Sequence, residues 1–202
     1  MVYYFNPEDK RALTQFSETL EQMILKHEEK YDELVLVCIG SDRATGDALG
    51  PIVGHRLSNV SRRRIAIYGT LEKPVHASNL EVVSKRIQKY HENALVIAID
   101  ASLGIMEHVG YITLGEGSLS PGIGVDKNLP QIGDLFITGI VNIAGFGGQM
   151  LLQTTRLNIV MKLADFIATG IYCCLRPAKS RHLSKGRTSL QSTKQRNLVD
   201  AL

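Results

Sequence analysis

Residues 33–40 read ELVLVCIG, six apolar side chains in a row between a glutamate and a glycine. An unbroken apolar run of this length is a strand buried on both faces, as in a parallel sheet. Residues 64–68 (RIAIY) and 94–99 (ALVIAI) repeat the pattern, and Asp100 closes the second of them. The segments between these runs have a helical period. Residues 48–57 begin a helix behind Asp47, a favourable N-cap type. Residues 77–90 place Leu80, Val83 and Ile87 on one helix face. Upstream, Leu13, Phe16, Leu20, Met23 and Ile24 recur at helical spacing within residues 8–30. Downstream, residues 109–114 and 135–141 are two more strand candidates, and residues 150–175 form a long terminal helix loosened near Gly170. Strands alternating with helices imply right-handed crossovers and an α/β fold, a three-layer helix–sheet–helix sandwich around a mostly parallel sheet. In a doubly wound order the first of the three apolar strands lies beside the third. The crevice between their C-terminal ends is then the switch point, where such folds bind ligands.

The chain has 202 residues, 44% of them hydrophobic and 21% charged, which excludes wholesale disorder, a collagen-like repeat and a disulfide scaffold. Charge is unevenly placed. Residues 176–202 hold seven basic side chains and one acid; with +3 for the whole chain, the remainder is acidic. That tail is poor in large apolar residues, so residues 1–175 are expected to form one domain and residues 176–202 a mobile basic extension. The extension could meet nucleic acid or an acidic partner, but it has no aromatic residues interleaved for base stacking, and a solvated tail is the plainer reading. Cys38 lies inside an apolar run, and Cys173 adjoins Cys174 without a CxxC pair. A reducing, cytoplasmic setting is expected. MVYYFNPEDK lacks the basic and apolar regions of a secretory signal. Residues 135–155 carry no charge but contain four glycines and three threonines. A strand, a glycine turn and a helix start explain that segment better than a bilayer span, and no membrane partner is expected. Its small-residue face suits core or, in a homo-oligomer, an intersubunit surface.

Two acids stand where the crevice opens. Asp47 lies in GSDRATGDALGP (residues 40–51) and Asp100 in VIAIDAS (residues 96–102). Paired carboxylates can activate a water or hold a metal, and two like charges at close range push their pKa values apart into an acid and a base. The plainer alternative makes Asp47 a helix cap and Asp100 a loop residue capping amides. Asp42 and Arg43 in the same loop offer an ion pair or a substrate contact, while Gly40, Gly46 and Gly50 permit tight turns and close approach. The loop has neither the GxxxxGKS/T nor the GxGxxG pattern, and no GxSxG or HExxH occurs. The histidines fall singly; His76, in GTLEKPVHASNL (residues 69–80), could reach the crevice but reads first as a polar helix-start residue. The glycine-rich loop at 115–133 either shapes a cleft or simply connects.

These loops resemble known ones. DALGP resembles the TPDALGP-type loop of the spore germination protease, with Asp47 on the position of a catalytic aspartate. IDAS resembles its second motif, with Asp100 on the second aspartate, and SPGIGV (residues 120–125) resembles its PGSGVGN loop. Over residues 34–142 the chain is similar to the smaller sporulation-protein family related to that protease, often called YyaC. The layout also resembles the hydrogenase maturation endopeptidases, with their GxGNxLxxDEGxG loop and later DA motif. The resemblance implies a phosphorylase/hydrolase-like fold and an endopeptidase acting on small protein or peptide substrates in the sporulating cell or spore. Asp47 and Asp100 would be catalytic, Gly122 and Gly124 would offer backbone amides to the substrate, and no cofactor would be needed. Under the hydrogenase-type alternative, Asp47, Asp100 and a histidine, for which His108 is the candidate, would hold a divalent metal. A third alternative is a binding module that keeps the fold without catalysis. Ser41 stands where the GxGN motif has asparagine, and Gly46 where the germination protease has proline.

Overall fold

The computed structural model describes residues 1–58, 65–121, 130–145 and 147–175. Six strands form one sheet in the order β1-β5-β6-β4-β2-β3. They are β1 (Val2–Phe5), β2 (Glu33–Cys38), β3 (Ile65–Tyr68), β4 (Ala94–Gly104), β5 (Ile112–Glu116) and β6 (Leu135–Ile143). The helices are α1 (Ala12–Leu25), α2 (Leu49–Leu57), α3 (Leu80–Tyr90), α4 (Gly148–Gln153) and α5 (Leu157–Cys174). β3, β2, β4 and β6 run parallel, and β5 and β1 add an antiparallel edge.

The three apolar runs are therefore adjacent strands, β4-β2-β3, with β3 at the edge of the sheet. β2 pairs with β3 on one side and β4 on the other, so the chain reverses its direction of growth between β2 and β4. The layers follow from strand alternation. Leu34, Leu36, Ile97, Ile99 and Ile137 face a core closed by Phe16 and Leu20 of α1, Leu49 and Val53 of α2, and Val160, Leu163 and Ile167 of α5. Val35, Val37 and Ala98 face the other way, under Leu80 and Ile87 of α3. α5 is long and apolar enough to cross a bilayer by length and composition, yet it packs on α1 and α2 within this core.

Several boundaries differ from the sequence reading. The first helix is shorter than 8–30 because turns occupy both ends; Asn6 and Asp9 carboxamide and carboxylate oxygens accept from the Glu8 and Arg11 amides (3.1 and 2.9 Å). β1 was not anticipated: VYYF, rich in β-branched and aromatic side chains, pairs from Val2↔Gly115 to Phe5↔Ile112. Asp100 does not end its strand. β4 continues to Gly104 because β6 runs on beside it, with Asp100 opposite Thr138. The terminal helix is two helices. The Thr154 and Thr155 hydroxyls bond back to the Met150 and Leu151 carbonyls (3.0 and 2.7 Å), and Arg156 is extended. Nor is α5 loosened at Gly170, where it crosses α1. A Cβ there would overlap the Phe16 ring, which is itself edge-on to Phe5 and Phe166. Gly170→Ala is expected to lower stability by about 1–3 kcal/mol through overpacking, despite alanine's better helix propensity. A urea midpoint equal to or above wild type would contradict that packing. Arg64 and residues 176–202 lie outside the described residues.

Candidate functional site

Where β2 ends, three consecutive backbone amides tie it to three different segments. Ile39 N–H donates to the Ile99 carbonyl of β4 (2.7 Å), Gly40 N–H to the Val75 carbonyl in the loop after β3 (2.7 Å), and Ser41 N–H to the Asp47 carbonyl before α2 (3.1 Å). Ile39 and Val75 also form a parallel bridge, one residue of sheet added beyond β2 and β3. Gly40 makes the crossing possible: its φ is +134°, and a Cβ would overlap the Asp47 carbonyl oxygen. The consequence is that the segments carrying Asp47, His76 and Asp100 converge at the switch point.

Asp47 sits in a single 3-10 turn, Gly46–Ala48, and is half-buried. It does not cap α2. The N-cap is Ala48 and no side chain caps either turn, so the structural use considered for this carboxylate falls away. Asp100 is 7% exposed. Its Oδ1 accepts the Ala101 N–H (2.8 Å). No hydrogen bond from a described residue reaches its other oxygen, and no fully buried side-chain polar atom among the described residues lacks a partner.

The two acids feel each other. Burial pushes the Asp100 carboxyl well above the usual carboxylate range, the Asp47 charge pushes it further, and the Ala101 amide opposes both. Burial also raises Asp47, though less, with the Ser41 amide and then His76 offsetting part of the rise. The pair is thus asymmetric, with Asp100 the proton holder and Asp47 the member favoured as carboxylate. Beyond Asp100 the same sheet face continues in hydroxyls. Ser102 Oγ lies 3.0 Å from Thr138 Oγ1, which lies 2.7 Å from Thr113 Oγ1.

Of the other sequence candidates, Asp42 and Arg43 are exposed on the loop that leads to Asp47, with Arg43 N–H donating to Ser41 Oγ (3.3 Å). Gly122 and Gly124 lie outside the described residues. His108 is not near the pair. Its ring packs against Tyr4 of β1 and against Tyr111 (4.9 and 5.4 Å between centroids). β1 is three strands from β4, roughly 14 Å at the usual strand spacing. Among the described residues no three His, Cys, Asp or Glu side chains gather closely enough to hold a metal ion. The donor set does not fit the metal site that the hydrogenase-type resemblance implied.

His76 is the residue that sequence reasoning undervalued. As the sequence reading expects, it opens the turn into α3 (Leu80–Tyr90): its carbonyl accepts the Asn79 and Leu80 N–H groups (3.0 Å each) and its Nδ1 the Ser78 N–H (3.3 Å). Asn79 completes that turn: its Oδ1 accepts the His76 N–H (2.8 Å) and its Nδ2 donates to the Pro74 carbonyl (3.0 Å). The one available signal was topological, because this loop leaves the strand adjacent to β2 on the C-terminal side of the sheet.

Three comparisons bear on this arrangement. The family described as "protein of unknown function (DUF1256)" matches residues 4–170. The Bacillus subtilis (strain 168) protein described as "uncharacterized protein YyaC" is 46% identical over 168 residues, 83% of this chain and 81% of that one. A crystal structure of the NiFe hydrogenase maturation protease HycI from Thermococcus kodakarensis superposes over 76% of this chain and 99% of its own, at 17% identity and a TM-score of 0.48.

Proposed function

The chain belongs to the DUF1256 family, and within it we propose an aspartate-pair endopeptidase that hydrolyses peptide bonds of small protein substrates during sporulation. The observation that carries this reading is the asymmetric pair itself. Asp47 and Asp100 act on each other at the switch point, and among the described residues neither serves in a helix cap or an ion pair. The match of DALGP and IDAS to the two aspartate motifs of the spore germination protease supports the same roles.

The chemistry balances with these two groups alone. Asp47, as carboxylate, takes a proton from a water whose oxygen attacks the peptide carbonyl carbon. The carbonyl oxygen carries the negative charge of the tetrahedral intermediate. Asp100 then gives its proton to the amide nitrogen, the C–N bond breaks, and the products are a carboxylic acid and an amine. A water returns the proton from Asp47 to Asp100. No metal enters any step. Asp42 and Arg43 at the rim, with the Gly122 and Gly124 amides, are assigned to the substrate chain.

The test is cleavage of a pool of small spore proteins by the full chain at neutral pH, with and without chelator. Wild type is expected to cleave in chelator, and Asp47→Asn to lose at least about 100-fold of the rate. Chelator-sensitive cleavage would replace this reading with metal-dependent hydrolysis. Folded wild type that cleaves nothing would leave a binding module.

A further inference from the structure

An aspartate pair supplies a base and an acid, but the oxyanion formed between the two steps also needs a donor. The backbone amides flanking the pair on the strand ends are already committed. Ile39 donates to Ile99, Gly40 to Val75, Ser41 to Asp47, and Ala101 to the Asp100 carboxyl. The nearest hydroxyls on the floor, Ser102 and Thr138, are bonded to each other. The His76 ring has a different status. Its backbone is pinned twice, by Asn79 at its N–H and by the adjoining Val75–Ile39 bridge. Its Nδ1 accepts the Ser78 N–H (3.3 Å). In the neutral ring an acceptor Nδ1 leaves the proton on Nε2. No described group hydrogen-bonds that nitrogen. The segment carrying His76 meets that carrying Asp47 at the end of β2, where adjacent amides bind both: Gly40 N–H donates to the Val75 carbonyl and Ser41 N–H to the Asp47 carbonyl (2.7 and 3.1 Å).

We propose that His76 is a third catalytic residue of this site, whose Nε2–H receives the oxygen of the carbonyl attacked by water at the Asp47/Asp100 pair. The assignment rests on the peptidase reading for its substrate and on the loop geometry for its placement. It gives the site a base, an acid and an oxyanion donor, each from a different segment tied to the end of β2.

Two substitutions test it. His76→Ala removes the ring and its bond from the Ser78 N–H but keeps the Asn79 contact, which is to the His76 backbone. His76→Gln keeps an N–H donor. Both are expected to fold with wild-type circular dichroism. On a spore protein that wild type cleaves, His76→Ala is expected to lose about 10²–10³-fold in kcat with KM nearly unchanged, and His76→Gln to recover part of it. The independent readout is the Asp47 carboxyl titration by NMR in substrate-free protein, which moves upward in His76→Ala. An unmoved titration overturns the placement of His76. A moved titration with kcat within twofold of wild type overturns its catalytic role. If wild type cleaves nothing, the peptidase reading fails, and the titration still decides whether His76 faces Asp47.

Discussion

Asp100→Asn is expected to lower peptide hydrolysis by about 10²–10⁴-fold and, at the same time, to make the folded protein more stable at neutral pH. The first effect follows from the role of proton donor, which an amide cannot fill. The second follows from linkage. The Asp100 carboxyl is buried beside another acid, and its folded value lies well above the ordinary one. In the unfolded chain it titrates near 3.9. Below that value both states hold the proton and the group contributes no difference. Above it the unfolded chain releases the proton while the folded one keeps it, until the pH passes the raised folded value. Stability therefore falls as pH rises through that window. Asparagine keeps the oxygen that accepts the Ala101 amide and has no charge to bury, so the fall disappears. Urea unfolding at about pH 3 and at pH 7 measures this directly. Wild type and variant should coincide at the acid end and separate at neutral pH, with the variant ahead. A variant less stable than wild type at pH 7, or one that retains full activity, would mean that Asp100 is an ordinary ionised carboxylate. The trade of stability for function is common where a site holds groups that the fold would not choose.

The parts of this site that were legible in the sequence are those encoded locally. Residues 33–40 and 94–99 are unbroken apolar runs, so their burial at the centre of a parallel sheet needs no other information, and the switch point follows from their order. Asp47 and Asp100 stand just beyond those runs and inherit their position. What was illegible depends on partners distant in the chain. β4 outlasts Asp100 only because β6 runs beside it. The 150–175 segment divides at Thr154–Arg156, where threonine hydroxyls return to the preceding turn and Asn142 of β6 bonds the Leu151 carbonyl and Thr155 (3.0 and 3.2 Å). β1 becomes a strand through β5. His76 belongs to the same class: nothing in PVHASN announces that Val75 will bridge to Ile39, and that one contact brings the His76 segment to the end of β2.

Gly69→Ala is expected to cost roughly 3–5 kcal/mol, a large share of the ~5–15 kcal/mol that holds a domain folded. Gly69 lies just beyond β3 with φ +87°, and a Cβ on it would overlap the Cys38 carbonyl oxygen at the end of β2. On its other side, a Cβ on Gly54 of α2 would overlap the Gly69 carbonyl oxygen. Backbone from β2, the loop after β3 and α2 is thus stacked with no room for a methyl group, and neither neighbour can yield as a flexible side chain would. The left-handed conformation and the overlap both contribute, and a control separates them. Gly110 has a similar φ, +91°, and nothing within 4 Å of its Cβ position. Gly110→Ala should therefore cost only the conformational part, about 1–2 kcal/mol. The difference between the two urea-derived stabilities reads the close approach alone; equal losses would show that the turn after β3 does not meet β2 at this distance. The same stacking links stability to the site. The Gly69 loop leads to His76, and the end of β2 is tied to the Asp47 carbonyl, so a methyl group added on Gly69 must push the His76 segment away from the strand that places Asp47. Gly69→Ala protein kept folded by low temperature should then show an Asp47 carboxyl titration moved upward, as in His76→Ala, whereas Gly110→Ala should leave it where it is in wild type.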